Sequence, residues 1–138
     1  MIEQKPLIYL AIKYHSDYQN RILIEQITKS CLDAGFATVC IARDVELYGK
    51  NSYSADELMQ LSFEKIKEAA YLLIDLSEKG VGIGIEAGYA YAIGIPIITI
   101  LPFNAHLSNT LAGISTIEYR YHKPEDILEL LRSLPLSI

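Results

Sequence analysis

The stretch YLLIDLSEKGVGIGIEAGYAYAIGIPIITIL, residues 71–101, contains the strand–turn–helix–strand pattern that decides the fold. Its two ends, residues 71–76 and 96–101, are apolar almost throughout, which is typical of parallel strands covered on both faces. Between them, a glycine-rich turn leads into an apolar helix predicted over residues 83–93. This order predicts an α/β sandwich in which the chain alternates between sheet and helix.

The rest of the chain repeats this alternation. Further strands are predicted over residues 7–12, 37–41 and, more weakly, 116–121. Helices are predicted over residues 18–34, 55–69 and 124–134, the second behind a capping box formed by Ser54 and Glu57, with a polar connection at 42–53. The pattern predicts a flavodoxin-like, doubly wound sandwich: one domain over residues 1–138, with a five-stranded parallel sheet in the order 2-1-3-4-5 and helices on both faces.

Composition excludes several function classes. The 138 residues carry a net charge of −5 without a cluster of Lys or Arg, which argues against polymeric nucleic acid and against an anionic membrane as partners. No apolar stretch is long enough to cross a bilayer without Gly or Pro. Cys31 and Cys40 fit no metal or redox spacing, so we expect reduced thiols in a cytoplasmic protein that uses no metal and no cofactor.

The topology predicts where a ligand would bind. In a sheet of this order, ligands lie beyond the carboxyl ends of the strands, between strands 1 and 3. Two loops meet there. The first contains Lys13, His15 and Asp17, and the second contains Gly80 and the glycines that follow it.

The glycine-rich turn has three interpretations. Gly82 and Gly84 satisfy a permissive dinucleotide fingerprint, but no acidic residue follows at the spacing that holds a ribose, and Glu86 would repel a pyrophosphate. The turn could also be purely structural, which leaves Glu86 unexplained. In the third interpretation Glu86 is a nucleophile, kept ionised by amides in the first turn of the helix, that attacks an anomeric carbon.

At this point the sequence resembles a known family, the nucleoside 2-deoxyribosyltransferases and the related nucleoside 5′-monophosphate N-glycosidases. The segment EKGVGIGIEAGYAYAIGIPII is similar to the family signature, matched here by Gly82, Gly84, Glu86, Gly88, Tyr89 and Ala90. IYLAIKYHSDYQNR, residues 8–21, is similar to the family's first strand and the helix start behind it. The resemblance implies that Glu86 attacks C1′ of the sugar and that Tyr9 hydrogen-bonds it. Composition alone favours a core role for Tyr9.

The resemblance also implies oligomers, with sites that borrow residues from a neighbouring subunit, and hence a homodimer or larger. Ser108 matches a serine that reaches a neighbour's 5′-phosphate in monophosphate hydrolases. Ser62 stands where the family usually has an Asp near the base, and Gly80 where it has an acid or a Ser at the 5′ end. Asp75, at the end of the third strand, is a further candidate, although a strand-end residue bonding loop amides is the favoured interpretation.

The implied substrate is a small nucleoside or nucleotide, in nucleotide salvage, cleaved by transfer to another base or by hydrolysis. Gly80, Lys13 and His15 favour a 5′-monophosphate, whereas the segment around Asp17 resembles the transferases. Lys13 and His15 could equally be solvated loop residues. Loss of the base-side Asp leaves an alternative of a different class, a module that binds a nucleotide without cleaving it.

Overall fold

A computed structural model describes residues 4–136. Its strands are β1 (Leu7–Ala11), β2 (Ala37–Val39), β3 (Tyr71–Asp75), β4 (Ile97–Pro102) and β5 (Ile117–Tyr121). Its helices are α1 (Arg21–Asp33), α2 (Ala55–Glu68), α3 (Val81–Ala92), α4 (Asn109–Ile114) and α5 (Ile127–Ser133). No helix among the described residues is long and apolar enough to cross a membrane.

The five strands form one parallel sheet in the order β2-β1-β3-β4-β5, which confirms the predicted topology. Strand β1 has a neighbour on each side: Tyr9 lies opposite Val39 of β2 on one side and Leu72 of β3 on the other. The chain order reverses direction between β1 and β3, so the loops after these two strands flank a crevice at the carboxyl edge of the sheet.

Alternate residues of each strand feed two hydrophobic cores on opposite faces of the sheet. Ile8 and Leu10 point into the first core, where α1 and α5 pack. Tyr9 and Ala11 point into the second, where α2, α3 and α4 pack. Because strand side chains alternate between faces, Tyr9 is directed at the helices that carry Ser62 and Glu86.

The structure corrects several predicted boundaries. The predicted polar connection contains a π-helical turn, Ile41–Val45, and a 3₁₀ turn, Leu47–Gly49, and β2 ends two residues earlier than predicted. Helix α4 was not predicted, because it has only six residues, of which Leu111 alone is fully buried. The capping box at Ser54 and Glu57 is confirmed.

Candidate active site

A cavity of about 340 Å³ lies at the carboxyl edge of the sheet, between the loops that follow β1, β2 and β3. Helices α2 and α3 close its sides. We call it the Glu86 cavity. Its polar lining comes from Tyr9, Lys13, Glu46, Ser62, Gly80, Gly82 and Glu86, and its apolar lining includes Ile41, Ala42, Leu58, Met59 and Val81.

A hydrogen bond joins β1 to α3 in this cavity: the Tyr9 hydroxyl donates to Glu86 Oε2. Tyr9 is 1% exposed, so its ring is fixed by the core while its hydroxyl reaches the cavity. Among the described residues, this hydroxyl is the hydrogen-bond partner of the Glu86 carboxylate. The bond leaves the other carboxylate oxygen free to meet a ligand.

The environment of Glu86 differs from the one predicted. Helix α3 begins at Val81, so Glu86 lies in its second turn, beyond the free amides of the helix start. Burial raises the pKa of Glu86 to about 7, and the Tyr9 hydrogen bond opposes that rise. The prediction that helix-terminal amides keep the carboxylate fully ionised is therefore wrong. Tyr9 stabilises the charged form instead.

Ser62 completes this polar centre. It is 5% exposed on α2, and its hydroxyl donates to the Leu58 carbonyl 2.8 Å away. Burial and the neighbouring Glu86 charge raise the pKa of Tyr9, and the Ser62 hydroxyl acts against that rise. The three side chains thus meet from β1, α2 and α3. Ser62 supplies a hydroxyl, and no acid, at this position.

Lys13 and Gly80 lie together on the β3 side of the cavity. A Cβ placed on Gly80 would lie 3.1 Å from Lys13 Cδ and 3.9 Å from Lys13 Nζ, so the ammonium group sits beside the glycine backbone. Within residues 4–136, no carboxylate lies within salt-bridge distance of Lys13. Lys13 and Gly80 therefore offer an anion a positive charge beside a backbone that no side chain covers.

The other two predicted residues of the first loop do not line this cavity. His15 Nε2 lies 2.5 Å from Glu78 Oε2, and its Nδ1 lies 2.8 Å from Gln19 Nε2. Asp17 is exposed and accepts a hydrogen bond from the Gln19 amide at 3.2 Å. His15 therefore joins the two loops that flank the cavity, and Asp17 shapes the turn before α1.

Asp75 is fully buried and is bound by the protein itself. Its Oδ1 accepts a hydrogen bond from the Ser77 amide at 2.9 Å, and its Oδ2 accepts one from the Tyr121 hydroxyl at 2.7 Å. Burial raises the pKa of Asp75, and these hydrogen bonds oppose the rise. The geometry agrees with the strand-end interpretation, in which Asp75 anchors the loop after β3.

Two predicted residues lie on the opposite side of α3. Gly84 and Ser108 line a second cavity, of about 420 Å³, between α3 and α4. We call it the Ser108 cavity. Its other lining includes Gly88, Thr110 and Leu111. Within the described chain, the structure does not bring Gly84 or Ser108 into the Glu86 cavity, although Gly80 borders both.

Glu46 is a site residue that was not identified from the sequence. It is 7% exposed and lines the Glu86 cavity from the turns after β2. Its position inside a polar connection gave no sign of burial. The closest signal is Gly49, which permits the left-handed backbone (φ +96°) that closes this turn.

No family profile matches the sequence, and no curated protein matches it significantly. Among solved structures, the chain is similar to the CMP N-glycosidase BcmB of Clostridium botulinum, with 25% identity and a TM-score of 0.66 over 91% of this chain and 97% of that one. By structure, the chain is similar to an N-glycosidase and a transferase of the nucleoside 2-deoxyribosyltransferase group.

Two further members of this structural group have lower identities. The 2-deoxyribosyltransferase of Bacillus psychrosaccharolyticus is 17% identical, with a TM-score of 0.69 over 95% of this chain and 93% of that one. A conserved protein from Enterococcus faecalis V583 is 18% identical, with a TM-score of 0.61 over 92% of this chain and 97% of that one. At these identities the likeness concerns the fold.

The fold places the Glu86 carboxylate at the carboxyl edge of the sheet, beside a cavity. Glu86 has one oxygen held by a buried phenol and one directed at a cavity large enough for a nucleotide-sized ligand. Among residues 4–136, no group of His, Cys, Asp and Glu side chains is arranged to hold a metal ion. What the arrangement offers is a positioned carboxylate, a hydroxyl at Ser62 and a cation at Lys13.

Proposed function

We propose that the protein cleaves the N-glycosidic bond of a nucleoside 5′-monophosphate through a covalent intermediate on Glu86. The observation that carries the proposal is the Tyr9–Glu86 hydrogen bond at the switch point of the sheet, inside a cavity. The structural likeness to a CMP N-glycosidase and a 2-deoxyribosyltransferase supports the same reaction class.

The proposed chemistry has two steps. The free oxygen of ionised Glu86 attacks C1′ of the sugar, the bond from C1′ to the base nitrogen breaks, and the base leaves with that electron pair and takes a proton from water. Water or a second base then attacks C1′ and releases the Glu86 carboxylate. Tyr9 holds the carboxylate in position and stabilises its charge throughout.

The 5′-phosphate is assigned to the β3 side of the cavity. Lys13 is free of carboxylate partners within residues 4–136, and its ammonium group lies beside the Gly80 backbone. A phosphate placed there gains a charge-assisted hydrogen bond. Lys13→Ala should lower kcat/KM for a monophosphate about tenfold or more and change it little for the free nucleoside. Lys67→Ala, at an exposed position of α2, is the control.

The test of the reaction is a panel of nucleosides and 5′-monophosphates, in ribo and deoxy forms, incubated with and without an acceptor base. Free base and exchanged nucleoside are followed by chromatography. Release that disappears in Glu86→Gln supports the proposal, and exchange distinguishes transfer from hydrolysis.

The second candidate function is a non-catalytic nucleotide-binding module. It is favoured by Ser62, because a buried serine cannot supply the proton that an acid at this position would give to the departing base. Binding of a monophosphate without release of base, in wild type and Glu86→Gln alike, would establish the module and exclude the enzyme.

We further propose that the active form is a homodimer or larger. Helix α3 exposes large apolar side chains, with Val81 82%, Tyr91 61% and Ile85 46% exposed, and the Ser108 cavity lies along the same helix. Association through this surface would cover them and bring Ser108 near a neighbouring site. Sedimentation showing a monomer at micromolar concentration contradicts this assembly.

A further inference from the structure

Glu46 is a buried carboxylate in the Glu86 cavity that the proposed reaction does not use. It is 7% exposed, yet no Lys, Arg or His within residues 4–136 lies within salt-bridge distance of it. Its protein partner is the Tyr18 hydroxyl, which donates to Oε2 at 3.1 Å. A carboxylate can accept about four hydrogen bonds, so most of its capacity is open on the cavity side.

The loop around Glu46 is held in a costly backbone conformation. Leu47 (φ 48°), Tyr48 (φ 53°) and Tyr18 (φ 53°) are all left-handed, which side-chain-bearing residues rarely adopt. The Glu46 carbonyl accepts hydrogen bonds from the amides of Gly49 and Asn51, both at 3.0 Å. The residues under strain are thus those that enclose and orient Glu46.

The order of the strands places Glu46 relative to the reacting centre. Tyr9 lies on β1, with β2 on one side and β3 on the other. Lys13 and Gly80 occupy the β3 side, where the phosphate is proposed. Glu46 follows β2 and lies on the opposite side. If the sugar sits over Glu86 and its phosphate extends toward β3, its base extends toward Glu46.

The β2 side of the cavity has the character of a base-binding pocket. Its apolar walls come from Ile41, Ala42, Leu58 and Met59, which can cover the faces of a planar ring. Glu46 is the charged group at that end. A carboxylate accepts hydrogen bonds and cannot donate them, so it suits a base edge with N–H donors and repels one with carbonyl oxygens.

We propose that Glu46 is a specificity-determining residue that accepts a hydrogen bond from the exocyclic amino group of the base. The substrate class is then the amino-bearing bases, and their oxo counterparts are rejected because a carbonyl oxygen would face the carboxylate. This inference rests on the proposed function, since it assumes that the cavity binds a nucleotide with its sugar at Glu86.

The experiment compares matched amino and oxo substrates, CMP with UMP and AMP with IMP, for wild type and Glu46→Gln. We expect wild type to favour the amino member by at least tenfold in kcat/KM. Glu46→Gln should reduce that preference at least tenfold, because an amide can also donate to a carbonyl oxygen. Comparing each substrate between variants cancels differences in leaving-group ability. Glu118→Gln, an exposed residue of β5 with the same loss of charge, should match wild type.

A measurement on wild type alone covers the case in which Glu46→Gln does not fold. The 5′-monophosphate of pyrimidin-2-one riboside, in which hydrogen replaces the amino group of cytosine, should bind at least tenfold more weakly than CMP by calorimetry. Equal handling of amino and oxo substrates, or a preference unchanged in Glu46→Gln, overturns the Glu46 role while Glu86-dependent cleavage stands. Absence of cleavage rejects the proposed reaction instead, and the calorimetric comparison of CMP with UMP still decides the role of Glu46.

Discussion

The two faces of helix α3 each border a cavity, but their chemistry differs. One face presents Gly82 and Glu86 to a cavity that holds two carboxylates, a buried phenol and a lysine. The other presents Gly84 and Gly88 to a cavity lined by hydroxyls and apolar side chains, with Lys79 at its margin. Glycines lie on both faces. What distinguishes a candidate reaction site is therefore the buried charge, and the predictions below test that contrast.

The largest expected effect separates binding from chemistry in the Glu86 cavity. Glu86→Gln keeps the size of the side chain but removes the nucleophilic charge, so turnover should fall by several orders of magnitude while ligand binding remains. Turnover is measured by base release, and binding by calorimetry with a monophosphate. If Glu86→Gln cleaves substrate at the wild-type rate, the charge of Glu86 does not distinguish the chemistry of the two cavities.

The second effect concerns the pH dependence of stability. The pKa of Glu86 rises from an unfolded value of 4.5 to about 7, so the folded state holds its proton more tightly. The resulting stabilisation is complete below about pH 4.5 and is lost as pH rises through about 7. Between pH 5 and 8, the free energy of unfolding of wild type should fall by about 3 kcal/mol relative to that of Glu86→Gln.

Denaturant titrations of both variants across this pH range measure the difference. Substituting a carboxylate that borders neither cavity provides the control: Glu118→Gln should follow wild type at every pH. Parallel curves for wild type and Glu86→Gln would show that Glu86 has an ordinary acidity, and the chemical contrast between the cavities would then rest on geometry alone.

The third effect concerns Tyr9. Tyr9→Phe removes the hydroxyl that stabilises the charged form of Glu86 but preserves the packed ring, so it should cost about 1.5–3 kcal/mol in kcat/KM, less than loss of the nucleophile. It should also move the pH midpoint of activity upward, because the carboxylate loses its donor. An unchanged midpoint with reduced activity would limit the Tyr9 hydroxyl to orienting the carboxylate, without an effect on its charge. The matched control is Tyr71→Phe, because the Tyr71 hydroxyl donates to the Pro135 carbonyl in the other core.

The smallest effect compares the two faces directly. A Cβ on Gly82 or on Gly84 meets no atom within 4 Å in the protein itself. Alanine at Gly84 should therefore be tolerated, or should stabilise the helix by up to about 1 kcal/mol. Alanine at Gly82 projects into the Glu86 cavity and should raise KM. Both variants are measured by thermal melting and by steady-state kinetics. Equal effects of the two substitutions on KM would show that the Ser108 cavity also contributes to the site.

The sheet could be predicted from the sequence because its strands are buried on both faces and read as apolar runs. The strands predicted over residues 71–76 and 96–101 agree with β3 and β4 to within one or two residues at each end. Helix α4 could not be found, since six residues with one buried position carry no periodic signal. The turns at residues 41–49 depend on left-handed Leu47 and Tyr48, which no local preference predicts.

The site was predictable where it rests on topology and not where it rests on side-chain environment. The order of strands brings Tyr9 and Glu86 together, and the family resemblance named both. The predicted acidity of Glu86 was wrong, because α3 begins at Val81 and Glu86 therefore lies beyond the free amides at the helix start. Glu46 was missed, because its hydrogen-bond partner Tyr18 lies 28 residues away along the chain.

The position of β1 between β2 and β3 affects how the chain acquires its site during synthesis. Tyr9 emerges from the ribosome early, but its partner Glu86 follows 77 residues later. Until β3 is made, one edge of β1 has no strand to pair with, and an apolar strand with a free edge is prone to association. Chains that stop before β3 should therefore aggregate. The Tyr9–Glu86 pair is completed late, once α3 has packed on the sheet.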